Sequence, residues 1–231
     1  MPDPVSRLRE MVARGDHTVF LGGGGGVEAG LPNWSGSLEL VAQQLEHYGH
    51  GPNAVALRID VGKNRFLEAA EQLYLADLIE SDRDAILKSV FDRKLLVTDR
   101  LRRFFLTPCV GFVSTNYDRV PIESSSGLAE FQRTREDLAA VRTCSHRFLV
   151  RLHGRIETPS SIVLAKSHYQ QLKSDDAYCE FFRWVVADLP TVFFGFSFVD
   201  PHLRSILATI GANRLGRFNR ESFALFSSEP D

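Results

Sequence analysis

The sequence predicts an α/β domain built on a doubly wound, mostly parallel sheet, and three observations lead there. Six short runs rich in Val, Leu, Ile and Phe, at 18–21, 109–113, 148–152, 161–164, 191–194 and 222–226, read as buried strands. Segments with helical apolar spacing alternate with most of them, the pattern of a parallel sheet covered on both faces. Five consecutive glycines, Gly22 to Gly26, stand directly behind the first run. Glycine is costly to order, about 0.5–1 kcal/mol worse than Ala inside a regular element, so the run needs a reason.

The elements follow in order. Asp3-Pro4 is a cap residue with proline at the first helical position; Val5, Leu8 and Val12 share one face, and Gly15 stops the helix. The strand at 18–21 and the glycines come next. Residues 38–48 and 66–79 carry helical apolar spacing, and Ser81-Asp-Arg-Asp84 is expected to cap a third helix through Phe91. A short helix at 101–106 completes a helical insertion, about 45–106, between the glycine loop and the next strand. Asp99-Arg-Leu-Arg-Arg103 reads as the solvated face of that last helix. His47 and His50 lie in a helix end running into a loop. Residues 127–145 are polar and read as a surface helix or loop. Helices are expected at 166–172, 176–189 and 201–210. The chain stops just after a strand, which suits the end of a single 1–231 domain or a piece cut from a longer protein.

Composition excludes several classes. With 231 residues, 44% hydrophobic and 24% charged, the chain can bury a sizeable core. A net charge of −2 argues against direct nucleic-acid binding. No run of about 18 apolar residues is present to span a membrane. Cys109, Cys144 and Cys179 never form a Cys-x-x-Cys pair, which points to a reducing cytoplasm and to no structural metal.

A linker separates domains, and only a short helix precedes these glycines, so a ligand-binding loop is the better reading. A strand, a glycine loop and a helix together cradle phosphate, because bare backbone N–H groups face the anion. The triphosphate-binding loop needs Gly-Lys-Ser/Thr, and here Val27-Glu28-Ala29 follows, with no lysine. A Rossmann-like G-x-G-x-x-A threads onto Gly24, Gly26 and Ala29, a weak signal in a polyglycine run. Three further polar clusters stand at expected strand ends: Ser114-Thr-Asn-Tyr-Asp118, Arg151-Leu-His-Gly154, and Gly195-Phe-Ser-Phe-Val-Asp-Pro201. Each alone reads equally as a turn or helix cap. Together, after successive strands, they are expected to face one crevice.

In order and spacing these four clusters resemble the sirtuin-like superfamily, and within it the bacterial NAD-hydrolase branch of phage-defence proteins. Gly22 to Gly26, Gly30-Leu-Pro32 and Trp34 stand where that branch carries Gly-Ala-Gly-Val-Ser, Gly-Leu/Ile-Pro and an aromatic residue. Thr115-Asn-Tyr-Asp118 resembles its Thr-x-Asn-x-Asp element, Leu152-His-Gly154 its Leu-His-Gly element, and Gly195-Phe-Ser197 with Asp200-Pro201 its late Gly-x-Ser element. The sequence departs from sirtuin deacylases, which carry Gly-Ile-Pro-Asp-Phe-Arg and paired zinc cysteines, by Asn33-Trp34-Ser35 and by lacking the pairs. It departs from the NAD-hydrolase loop by glycine at positions 23, 25 and 26.

The resemblance implies a Rossmann-like fold and cleavage of the nicotinamide–ribose bond of NAD, with no metal. It implies that Asn116 binds the ribose hydroxyls or the attacking water and that His153 is the general base. Imidazole suits that task because its ordinary titration range lies near neutrality. It implies further that Asp118 faces the nicotinamide carboxamide, that Gly22, Gly23, Gly24, Gly25 and Gly26 take the pyrophosphate, and that Ser197 contacts the adenosine side. Pro32, Trp34, Thr115, Gly195 and Asp200 are implied in NAD binding. A homo-oligomer, or a fused or associated sensor protein, is the implied partner. Two other classes stay open at this point: a non-catalytic NAD or ADP-ribose sensor, and an oligomerising domain of a larger defence protein.

Overall fold

A computed structural model describes residues 3–196 and 222–225. Six parallel strands form one sheet: β1 (Thr18–Leu21), β2 (Gly111–Ser114), β3 (Ala129–Gln132), β4 (Phe148–Arg151), β5 (Thr191–Phe194) and β6 (Ser222–Leu225). Their spatial order is β3-β4-β2-β1-β5-β6, and every neighbouring pair runs parallel. The expected fold class is what the chain adopts. From β1 the chain crosses to β2 on one side, and later returns from β4 to β5 on the other. The winding therefore reverses between β1 and β5, and a crevice opens at such a point outside the strands' carboxyl ends.

Strand pleating explains the apolar runs. Phe20, Val113, Phe148, Val150 and Phe193 face one buried cluster, which α10 (Lys166–Lys173) and α11 (Asp176–Asp188) help to close. Val19, Leu21, Phe112 and Leu149 face a second, with Leu101 and Phe105 of α7 (Asp99–Leu106). Successive residues point to opposite faces, so a strand covered on both sides is apolar at every position. Phe20 sits at the first centre, its ring 5.3 Å from that of Phe182 and 5.6 Å from that of Phe193.

A third cluster belongs to the helices between β1 and β2: α3 (Trp34–His47), α4 (Gly51–Gly62), α5 (Phe66–Leu75) and α6 (Glu80–Phe91). Tyr117, Ile156, Ile162 and Leu164 join it from the loops after β2 and β4. Asn33 begins α3, its side chain accepting from the Gly36 N–H at 2.8 Å. At the amino terminus, α1 (Pro4–Arg14) is capped by Asp3 and stopped by Gly15 in the left-handed region, as the sequence suggests.

Several local expectations are corrected. The run at 161–164 is not a strand. A 3-10 turn over Pro159–Ser161 leads into extended chain, where the Val163 N–H bonds the His153 carbonyl and the Val163 carbonyl accepts from the Tyr117 hydroxyl. The third insertion helix begins at Glu80, so Ser81 lies within its first turn and caps nothing. The helix starting at Phe66 ends at Leu75, because Ala76 turns extended and Leu75 and Ile79 face outward. The polar stretch 127–145 holds the edge strand β3 and a helix, α9 (Arg135–Val141), capped by Thr134. The helix expected at 201–210 lies outside the described residues.

Two half- to fully buried histidines tie stability to pH. Burial lowers His17 and His168 from the ordinary 6.5, and the Nδ1 of His17 has no hydrogen-bond partner among the described residues. The unfolded chain then binds more protons than the folded one just below pH 6.5, so this contribution is complete above that pH and is lost as pH falls through the lower folded values. The melting temperature is expected to fall between pH 7 and 5. A His17→Phe variant, followed by thermal denaturation across that range, should show a shallower decline.

Candidate functional site

Three of the polar clusters and the start of the fourth, at Gly195, come together along one edge of the sheet. His153 follows β4, Asn116 and Asp118 follow β2, the glycine run follows β1, and Gly195 follows β5; these four strands are adjacent. Hydrogen bonds link each turn to the next. The Leu152 N–H donates to Ser114 O at 2.9 Å, and the Thr115 N–H and hydroxyl both donate to Leu21 O at 3.3 Å. The Asn116 side-chain amide donates to Gly22 O at 2.6 Å. On the far side, the Gly22 N–H donates to Phe194 O at 2.8 Å and the Gly24 N–H to Gly195 O at 2.9 Å.

The glycine run is not a slack loop. Gly24 to Glu28 wind into a short helix, α2 (Gly24–Glu28), with Gly25 and Gly26 buried. None of the five glycines adopts a positive φ; the left-handed residue is Gly30, just past the helix, at φ 89°. Close approach is the constraint instead. A Cβ on Gly24 would lie 2.6 Å from the Gly195 Cα, and one on Gly22 would lie 2.7 Å from the Gly195 carbonyl oxygen. Gly195 itself has φ 72° and would meet the Gly24 backbone at 2.8 Å. A Cβ on Gly26 would sit 3.2 Å from Asp118 Oδ2, and one on Gly25 would touch only the Phe194 ring edge, at 3.7 Å. Gly23 has nothing within 4 Å.

Asp118 is buried, at 6% exposure. Its Oδ1 accepts the Val120 N–H at 2.9 Å, which starts the short helix α8 (Val120–Ser124). Burial pushes the carboxyl up from its ordinary range, while the Val120 N–H and the Arg151 charge pull it back down. Arg151 is itself 1% exposed and donates to the Asp118 carbonyl. Asn116 is half-buried beside Gly22.

His153 is enclosed more than a strand-end histidine facing open solvent would be. It is 2% exposed, with Nε2 3.4 Å from the Tyr178 hydroxyl and Nδ1 3.5 Å from the Tyr169 hydroxyl. Gly154, at φ 85°, follows it, and a Cβ there would strike the Ser161 carbonyl at 2.3 Å. Sequence reasoning missed the two tyrosines. One signal was available: both lie on the helices directly after the Leu-His-Gly turn, and a tyrosine hydroxyl seeks a polar partner when buried.

Trp34 opens α3, and Pro32, two residues before it, takes the Ser37 hydroxyl on its carbonyl at 3.5 Å. Both are half-buried, and Trp34 packs on the helical cluster. Ser197 and Asp200 lie outside the described residues. Among the described residues no group of three or more His, Cys, Asp or Glu is placed to hold a metal, and no helix is long and apolar enough to cross a membrane.

An open, all-parallel sheet flanked by helices, with its winding reversing between β1 and β5, defines a Rossmann-like α/β protein. Residues 110–231 match the SIR2-like domain family, and the chain belongs to it. Over 218 residues it is 26% identical to the NAD(+) hydrolase ThsA of Bacillus cereus (strain MSX-D12), covering 91% of this chain and 43% of that protein. It is 27% identical over 215 residues to the NAD(+) hydrolase ThsA of Enterococcus faecium, covering 89% and 42%. To the NAD(+) hydrolase ThsA of Acinetobacter baumannii (strain 532279) it is 22% identical over 215 residues, covering 89% and 41%. The chain thus spans about two-fifths of the length of these curated relatives.

The glycine geometry separates neighbouring positions. Gly24→Ala forces the β1 and β5 loops apart and should cost about 1–3 kcal/mol, the usual range for overpacking. Gly23→Ala meets no atom and should change stability by less than about 1 kcal/mol. Chemical denaturation of the two variants against the parent checks both.

Proposed function

We propose that this chain is an NAD glycohydrolase, in which water displaces nicotinamide from the ribose of NAD to leave ADP-ribose, nicotinamide and a proton. The observation that carries the reading is the gathering of the glycine loop, Asn116, Asp118 and His153 at adjacent strand ends around the point where the winding reverses. The NAD(+) hydrolase activity for which the relatives are named supports it.

The bond breaks through a transition state with oxocarbenium character, as in glycoside hydrolysis. The site must therefore hold the pyrophosphate, orient the ribose and place a water with a base beside it. The Gly24 N–H is spent on Gly195, so the pyrophosphate is taken by the other backbone N–H groups of the run at the start of α2. Asn116, tied to Gly22 O, links that cradle to the ribose and orients its hydroxyls or the water. Asp118 accepts from the nicotinamide carboxamide, while Pro32 and Trp34 flank the bound dinucleotide. Ser197 serves the adenosine side, and Gly195 and Asp200 take part in NAD binding. His153 takes the proton from water. Its enclosure by Tyr169 and Tyr178 means that substrate binding must part the hydroxyls for a water to reach the ring. Positioning and desolvation then supply most of the acceleration.

No metal enters this mechanism. The same reading makes the protein the effector of an antiphage defence system in the cytoplasm, acting as a homo-oligomer or through a fused or associated sensor.

Incubating the protein with NAD and separating the products by chromatography should yield free nicotinamide and ADP-ribose in equal amounts. Asn116→Ala and His153→Ala should each lower the rate by roughly 10²-fold or more, the usual worth of a positioned acid–base group, while leaving the folded state intact. NAD binding without turnover in the parent would favour a sensor instead, and wild-type rates in either variant would remove that residue's role.

A further inference from the structure

Arg151 is the last residue of β4, two before His153, and neither the motif comparison nor the proposed chemistry gives it a task. Its side chain is among the largest that are fully buried, at 1% exposure. A guanidinium without water is costly unless its charge and its N–H groups are matched. The matching here is one-sided. One terminal nitrogen donates to the carbonyl of Asp118. The Nε lies 3.6 Å from Glu130 Oε1 of β3, within ion-pair range but beyond a hydrogen bond, and it has no hydrogen-bond partner among the described residues. Glu130 is in turn shared with Arg155, at 3.5 Å, and is a quarter exposed. The edge carboxylate thus balances Arg151 only partly.

The other acid nearby is Asp118. Its Oδ1 is occupied by the Val120 N–H, and its Oδ2 points toward the glycine helix, where a Cβ on Gly26 would lie 3.2 Å away. The charges that face it are Arg151 from β4, which favours the carboxylate, and Glu157 from the loop beyond Gly154, which opposes it. Burial opposes it more strongly than either. Of the side chains around Asp118, Arg151 therefore supplies the stabilising charge, and the same guanidinium grips the Asp118 carbonyl.

We propose that Arg151 is a positioning residue of this site, clamping the Asp118 turn by its carbonyl and serving as the counter-charge of the Asp118 carboxylate that faces the glycine helix. Arg151 touches no substrate; it acts through Asp118. The inference rests on the proposed NAD chemistry only where activity is the readout. A purely structural Arg151, pinning β3 to β4 through Glu130, would change stability and nothing else.

Two readouts distinguish these. An opposite charge nearby favours the ionised carboxylate, and Arg151 exerts that pull on Asp118. Arg151→Met should therefore lower kcat/KM for NAD cleavage also above about pH 7, where His153 is available as the base, whereas Arg151→Lys, which keeps the charge, should leave it near that of the parent. Independently of turnover, the Asp118 carboxyl carbon can be followed by NMR in protein labelled with 13C-aspartate and assigned with Asp118→Asn. Its titration should move upward in Arg151→Met and stay near that of the parent in Arg151→Lys. If Arg151→Met does not fold, Glu130→Gln takes its place: releasing Arg151 from its competing acid should move the Asp118 titration downward. An unchanged titration in the folded variant, with only the melting temperature altered, overturns the proposal. If the parent cleaves no NAD, the functional reading has failed, and the carboxyl titration alone decides the part played by Arg151.

Discussion

The contact between Gly24 and Gly195 is the constraint on which the rest of the site depends. Two turns, one after β1 and one after β5, meet backbone to backbone, with the Gly24 N–H on the Gly195 carbonyl and no room for a Cβ on either partner. These strands flank the position where the winding of the sheet reverses. Chains leaving an open sheet at that position diverge toward opposite faces, and a crevice is the usual result. Here the crevice floor is stitched shut by main chain, and a helix of glycines is laid across it. Helix propensity does not explain α2, since glycine is about 1 kcal/mol per residue worse than alanine. Its location does: burial of Gly25 and Gly26, the Gly24 bond to Gly195, and the Asn116 bond to Gly22 just before the helix hold it.

From that floor the remaining groups are placed in sequence. Asn116 hangs on Gly22, Asp118 on Arg151 and the start of α8, and His153 between two tyrosines. Asn116 is thus held from the neighbouring strand end, the Asp118 side chain by the start of the helix that follows it, and His153 by two helices. None is carried on a long loop, which limits its positional freedom and suits a site that works by orientation.

The parallel sheet was legible because its central strands are apolar at every position, as Val19, Phe20 and Leu21 show by dividing between two cores. The site was legible as a set of strand ends for the same reason. What escaped notice did so for physical causes. The edge strand β3 has one neighbour and is only partly buried, so Ala129–Gln132 carries no apolar run. The helix Gly51–Gly62 has Pro52 in its first turn, a usable start signal, but Val55 and Ile59 point outward and blur its period. The run 161–164 has a strand's composition, yet its backbone bonds are spent on His153 and Tyr117 rather than on a ladder. The sequence reads the glycines as bringing bare backbone up to a ligand; the structure brings Gly22 and Gly24 up to the backbone of Gly195. Ser197 and Asp200 rest on the sequence alone.

Tyr117 stands between Asn116 and Asp118 and faces the other way. Its ring packs in the core of the helical layer, 5.1 Å from that of Phe91, while its hydroxyl holds the Val163 carbonyl. One residue is therefore a rivet through two plates, with catalytic candidates on either side of its head and the α3–α6 bundle around its shank. The bundle also enters the chain directly after the glycine helix and leaves it before β2. Whatever seats or shifts those helices pulls on the crevice from both of its walls and through its middle, so the site and the bundle settle as one object.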